Sequence, residues 1–193
     1  MLKMGTGTNR APRGFTVMEI TVVVAIAGIV LAIAVPNISN ALREYRVNIS
    51  LRQMADLVHR AKMQAIANNT QASIAVDSAN RRAGLIIFNA DGTINRTEYV
   101  PLPTGVSFGR PTDVTAPVAS VVVDRNISFP AQGTSTTVFQ QNFNSRGFPV
   151  VATAGAINVL YLTNGRTFRA VTVNSVGEVR RWTWDGSAWG VSR

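Results

Sequence analysis

A single apolar run near the start of the chain restricts its architecture more than any other feature. Residues 15–35 are 21 in number and include one charged side chain, that of Glu19. With a helical rise of about 1.5 Å per residue, this run would extend about 30 Å, the thickness of a bilayer's hydrocarbon core. The residues before it include basic side chains and no acidic one, which predicts a cytoplasmic start and an exported remainder.

Two interpretations of this run differ in where the chain is cut. A secretory signal peptide would be removed after the small-x-small tripeptide Ala32-Ile33-Ala34. Alternatively, the cut falls between Gly14 and Phe15, and the apolar run is kept. The length of the run and the carboxylate inside it favour retention, because a lone charge in hydrocarbon is costly and signal peptides have shorter apolar regions.

The pattern after Asn37 is that of an amphipathic helix that continues to about Ala67 and stops at Asn68-Asn69-Thr70. Pro36 lies where the two segments meet. Because proline lacks an amide hydrogen and crowds the preceding turn, it predicts a kink, although it could equally mark the membrane exit. The predicted apolar positions of this second segment are Ile38, Leu42, Tyr45, Ile49, Leu57, Ala61 and Ala65.

Beyond Thr70 the sequence is typical of β-structure. Turn signals at Asp91-Gly92, Asn164-Gly165 and Asp185-Gly186 separate alternating or β-branched runs, and the four prolines of residues 101–118 predict a long loop or edge segment. Together these patterns predict an α+β fold in which one long N-terminal helix packs on antiparallel β-sheet. The predicted strands are residues 72–76, 84–89, 94–100, 120–123, 137–143, 156–162, 168–174 and 178–184.

Composition limits the chemistry that the chain can perform. It contains no cysteine and one histidine, His59, for which we predict a solvated position on the helix. The acidic residues lack metal-ligand spacing, and no glycine-rich phosphate loop precedes a helix. We therefore predict a protein that is not an enzyme and that holds no metal or cofactor. The formal charge of +9 favours anionic partners without selecting among lipid, nucleic acid and acidic protein.

The sequence RGFTVMEI at residues 13–20 resembles the class III signal of type IV pilin-like proteins. In that family a prepilin peptidase cuts after the glycine and N-methylates the new terminal phenylalanine, here Gly14 and Phe15. Glu19 and Pro36 match the family's acidic residue and helix-disturbing proline. The resemblance implies that Glu19 pairs with the terminal amine of a neighbouring subunit, since a paired charge is tolerated in hydrocarbon. Alternatively, Glu19 lies at the membrane interface.

The second half of the chain narrows this resemblance. FNSRGFPV, at residues 143–150, and the basic strand region of residues 156–182 resemble the GspH/FimT family of pseudopilins and minor pilins. The resemblance implies a type IV pilin-like fold and the following organisation. Residues 1–14 are a removed leader, 15–36 a transmembrane and assembly helix, 37–70 an amphipathic stem, and 71–193 a periplasmic β-domain.

The function implied is that of a minor pseudopilin in the periplasmic filament of type II secretion. Its partners would be the prepilin peptidase, other pseudopilins or pilins and, before assembly, lipid of the inner membrane, which the chain would cross once. Two alternatives remain. One is a FimT-like minor pilin of a type IV pilus that binds DNA for uptake, and the other is an exported soluble β-domain with a removed signal peptide.

The C-terminal segment combines basic and aromatic residues but departs from the DNA-binding motif. Arg180, Arg181 and Trp182 could hold a single strand through phosphate contacts and base stacking. FimT-like proteins use Gly-Arg-x-Arg, whereas Gly177 is followed here by Glu178. A glutamate repels phosphate, so DNA is a disfavoured partner.

The sequence WTWDGSAW, at residues 182–189, predicts a β-hairpin with a two-residue turn at Asp185-Gly186. That register would place Trp182 opposite Trp189 and Trp184 opposite Ser187. We favour a cross-strand tryptophan pair over a base-stacking platform, because such a pair needs no ligand.

Overall fold

A computed structural model describes residues 15–110, 114, 116–118, 127, 129, 137–150 and 157–192. The chain separates into two units, the first ending at Ala41 and the second comprising Leu42–Arg193. Helix α1, Val17–Ala67, contributes residues to both units. Its end agrees with the predicted stop, where Asn69 adopts a positive φ of 49°.

The first unit contains the apolar half of α1. By length and composition, α1 is the one helix in the described part of the chain that could cross a membrane. No residue of its most apolar 18-residue stretch is buried. Pro36 lies within α1, which continues through it. The kink at Pro36, the leader and the domain bounds given above stay predictions.

The second half of α1 supplies one side of the core of the second unit. Leu57, Ala61 and Ala65 are buried as predicted, but Leu42 and Tyr45 are exposed. The prediction was wrong for these first turns because apolar residues there form two stripes, and spacing alone does not tell which stripe faces the core. The buried stripe is formed by Val47, Leu51, Met54, Val58, Ala61 and Ala65.

The strands form two antiparallel sheets, with orders β3-β2-β1-β5 and β4-β6-β7-β8-β9. This arrangement confirms the predicted α+β class, a long N-terminal helix whose second half packs on antiparallel sheet. Strands were listed near each observed position except the short β4, which lies in the segment predicted as loop, and β9, which only the hairpin prediction implied. The predicted strand at 120–123 is outside the described residues. The bounds are β1 Ala72–Asp77, β2 Arg82–Phe88, β3 Ile94–Pro101, β4 Ser107–Phe108, β5 Val138–Phe143, β6 Asn158–Thr163, β7 Phe168–Val173, β8 Val179–Trp184 and β9 Trp189–Val191.

Both sheets turn one face toward α1, and alternation along each strand selects that face. Ile74 and Val76 of β1 belong to the same core as Leu160 of β6 and Val171 of β7. A single apolar core therefore joins the helix to the two sheets, and it provides the main stabilisation of the second unit.

Buried polar side chains fix α1 and the sheets at specific positions. Arg169 of β7 donates hydrogen bonds to Asn48 Oδ1 at 3.0 Å and to Glu44 Oε1 at 3.2 Å. Burial lowers the pKa of Arg169, and the nearby Glu44 carboxylate opposes that change. Between the sheets, Asn158 donates to the side-chain oxygen of Gln141. These bonds satisfy polar groups that would be costly to bury alone.

Candidate functional site

The first candidate site is the start of α1, where the predicted assembly residues lie. Gly14 is outside the described residues, Phe15 is exposed, and Glu19 occupies the first helical turn. The Glu19 amide donates a hydrogen bond to Thr16 Oγ1 at 3.2 Å, so Thr16 is the N-cap residue.

This capping arrangement gives Glu19 a local role besides the one predicted. An acidic residue in the first turn interacts favourably with the partial positive charge of the helix N-terminus. Thr16 was not predicted as a cap, although the spacing Thr-x-x-Glu is the signal of a capping box. The Glu19 carboxylate itself is exposed and remains accessible to a neighbouring chain.

The second candidate site is the β8–β9 hairpin, and its predicted register was wrong. Trp184 pairs with Trp189, and Trp182 pairs with Val191. The connection has four residues instead of two, because the Asp185 carboxylate accepts hydrogen bonds from the amides of Ser187 and Ala188, each at 2.7 Å. The amide bonds from Ala188 and Ser187 lower the pKa of Asp185, so the carboxylate holds this loop while ionised.

The tryptophans contact one another and the sheet. The ring centroids of Trp184 and Trp189 are 5.4 Å apart, and Trp189 lies 5.8 Å from the ring of Tyr161. Trp182 is half-buried and donates its indole N–H to Thr172 Oγ1 at 2.9 Å. A cross-strand tryptophan pair is therefore present, but it joins Trp184 and not the predicted Trp182 to Trp189.

The structure does not bring the three predicted nucleic-acid residues onto one surface. Successive residues of a strand point to opposite faces, so Arg180 and Trp182 share one face of β8 and Arg181 lies on the other. Arg180 Nε donates a hydrogen bond to Glu178 Oε1 at 2.7 Å. The Arg180 guanidinium is therefore paired with a carboxylate of the same chain.

A shallow cleft lies beside Arg180 and Trp182 on this face. Its volume is about 150 Å³, and Thr172 and Asn174 also line it. Sites for drug-sized ligands usually exceed about 300 Å³. The cleft therefore offers little room for a small organic ligand.

His59 is exposed on α1, as predicted. In the part of the chain that the structure describes, no three histidine, aspartate or glutamate side chains come together as metal ligands would.

Comparison with known proteins yields a structural likeness. The chain is similar to the minor pseudopilin EpsH from the type 2 secretion system of Vibrio cholerae, with 15% sequence identity and a TM-score of 0.47. The match covers 72% of this chain and 97% of the EpsH chain. No family model matches the sequence, and no curated protein is significantly similar to it.

Proposed function

We propose that the chain is a minor pseudopilin, a non-enzymatic structural subunit of the periplasmic filament of a type II secretion system. The observation that carries this proposal is the sequence Gly14-Phe15, followed by Glu19, before and within the first turn of α1, whose most apolar stretch contains no buried residue. An exposed apolar helix needs lipid or other helices around it. The cleavage-site residues immediately before it are those of a processed pilin-like subunit.

In this proposal the leader, residues 1–14, is removed and the amine of Phe15 is methylated. The chain crosses the inner membrane once, with the second unit in the periplasm, until neighbouring subunits replace lipid around α1. The Glu19 carboxylate then pairs with the Phe15 amine of a neighbour, which sets the register between subunits. The prepilin peptidase and the other pseudopilins are its partners.

A DNA-binding minor pilin is less well supported. The bond between Arg180 and Glu178, and the placement of Arg181 on the opposite face, keep these two cations from contacting a phosphate backbone together. Filament assembly itself uses the same N-terminal residues in both classes of protein, so the secretion assignment depends mainly on this difference.

Mass spectrometry of the protein from a native membrane fraction tests the proposal. We expect a mature chain that begins at Phe15 and carries one extra methyl group on its amine. A mature chain that begins at Val35 would identify the apolar run as a cleaved signal peptide and would reject the proposal.

A further inference from the structure

Two turns from distant parts of the sequence meet the end of α1 in the second unit. One turn ends at Gly147 and the other at Gly177, and each glycine has a φ of +77°. Lys62 Nζ donates a hydrogen bond to the Gly177 carbonyl oxygen at 3.3 Å. A β-carbon on Gly147 would be within 3.0 Å of both Ile66 and Lys62. The last turns of α1 and the two glycine turns therefore form one continuous surface.

This surface, here called the twin-turn patch, exposes four large apolar side chains. Met63 and Ile66 lie one turn apart on α1, Phe148 follows the first glycine, and Val176 precedes the second. The exposed fractions are 63% for Met63, 43% for Ile66, 45% for Phe148 and 59% for Val176. Adjacent exposed apolar groups of this kind typically mark an interaction site.

The charged groups beside the two glycines are mainly cationic. Lys62 is held by the Gly177 carbonyl, and Arg146 is exposed in the turn beside Gly147. The adjacent acid, Glu178, already accepts hydrogen bonds from Arg180 and Asn174. On α1, the acid before Met63 is Asp56, which at seven residues is about 10 Å along the helix.

We propose that the twin-turn patch binds another protein, through a surface that presents a carboxylate beside apolar side chains. The four apolar residues offer nothing to a phosphate backbone, which favours a protein over a nucleic acid. In a two-fold contact, a second copy of this chain would bring Lys62 and Arg146 near the same two cations, a repulsive arrangement. Charge complementarity therefore selects an acidic partner of different sequence. This inference concerns the second unit alone and does not depend on the proposed function.

Site-specific photocrosslinking of the full chain in its native cells tests this inference. In one variant a photoreactive phenylalanine analogue replaces Phe148. In a control variant the same analogue replaces Ile94 of β3, which is also exposed. We expect a crosslink from position 148, and none from position 94, to one protein that mass spectrometry identifies together with the crosslinked peptide. That peptide should contain an aspartate or a glutamate.

Charge-reversal variants then distinguish crosslinking through a specific contact from crosslinking through random collision. Arg146→Glu should reduce the crosslinked fraction at least tenfold, and reversing the partner's acidic residue to lysine should restore it. Arg43→Glu, on an exposed part of α1, should leave the crosslinked fraction unchanged. A product of two copies of this chain, a crosslink to nucleic acid or lipid, or a crosslink that survives Arg146→Glu would overturn the inference, as would the absence of any product.

Discussion

Ile66 of α1 lies so close to Gly147 that a β-carbon on residue 147 would be 2.6 Å from Ile66 Cδ1. Gly147 has a φ of +77°, a backbone conformation that glycine adopts without steric cost. Helix and turn therefore approach each other through a residue that has no side chain. A side chain at position 147 would therefore affect packing against Ile66 as well as backbone conformation.

Gly147→Ala should destabilise the second unit by more than its backbone strain alone. A positive φ costs a non-glycine residue about 1 kcal/mol or more, and the clash with Ile66 and Lys62 should add about 1 kcal/mol. Gly165→Ala is the matched control, because Gly165 has a φ of +85° with no heavy atom within 4 Å of the added carbon. Chemical unfolding of the full chain in detergent compares them, and equal losses would contradict the packing argument.

Asp77 should make stability fall at acidic pH. Its carboxylate accepts hydrogen bonds from the side chain and amide of Asn80, and the Arg82 guanidinium also pairs with it at 3.0 Å. These interactions, with those of Asn80 the larger, lower its pKa below the ordinary value of 3.8. The stabilisation is therefore complete above about pH 4 and is lost as the pH falls through the lower folded-state pKa.

Thermal melting of the Asp77→Asn variant between about pH 2 and pH 6 measures this contribution. The variant should be less stable than the original chain at pH 6, and the difference should shrink toward pH 2. Asp56→Asn, at an exposed position on α1, serves as the control. A stability difference that stays constant with pH would show that the Asp77 charge is not responsible.

Trp184 and Trp189 should be energetically coupled. Tilted rings with centroids 5.4 Å apart are expected to interact by about 0.5–1.5 kcal/mol beyond their burial. A double-mutant cycle with Trp184→Leu and Trp189→Leu, read by chemical unfolding, should give a coupling in that range. The corresponding cycle for Trp182 and Trp189, which are diagonal and not directly opposite, should give a smaller coupling, and coupling only in that second cycle would support the two-residue turn.

The sequence predicted the fold correctly where a residue pattern was compatible with only one local structure. The β-branched runs located β1 to β3 and β5 to β8, because alternation and glycine turns act locally. The buried face of α1 was harder to predict, since the exposed Leu42 and Tyr45 also have a helical spacing, three residues, as the buried Val47 and Leu51 do at four residues. Which stripe is buried depends on where the sheets lie, and that is a tertiary property.

The hairpin error has a different physical origin. Asp185-Gly186 is a strong signal for a two-residue turn, and only the side-chain bonds of Asp185 to Ser187 and Ala188 select the longer loop. The separation of Arg180 from Arg181 was, by contrast, available from strand alternation. Two residues that are consecutive in a strand point to opposite faces of the sheet and so do not form one surface.

Glu19 should act in assembly through its charge and not through the helix cap. Glu19→Gln keeps the backbone bond to Thr16 but removes the carboxylate, so membrane insertion should persist while crosslinks to neighbouring subunits are lost. Thr16→Ala removes the cap and keeps the carboxylate, so those crosslinks should remain. Normal crosslinking in Glu19→Gln would leave Glu19 with a capping role only.

The final prediction concerns Glu178, which separates the secretion assignment from DNA uptake. Because the carboxylate of Glu178 engages Arg180, the full chain in detergent should bind single-stranded DNA only weakly near 150 mM salt, with a Kd above about 1 μM. Glu178→Arg would recreate the Gly-Arg-x-Arg stretch and release Arg180. It should tighten binding and steepen the dependence on salt, because each additional phosphate contact releases counterions.

Glu98→Arg is the control, since Glu98 on β3 likewise pairs with arginines, Arg60 and Arg96. Tight binding by the original chain that is lost in Arg180→Ala would favour the DNA-uptake pilin instead.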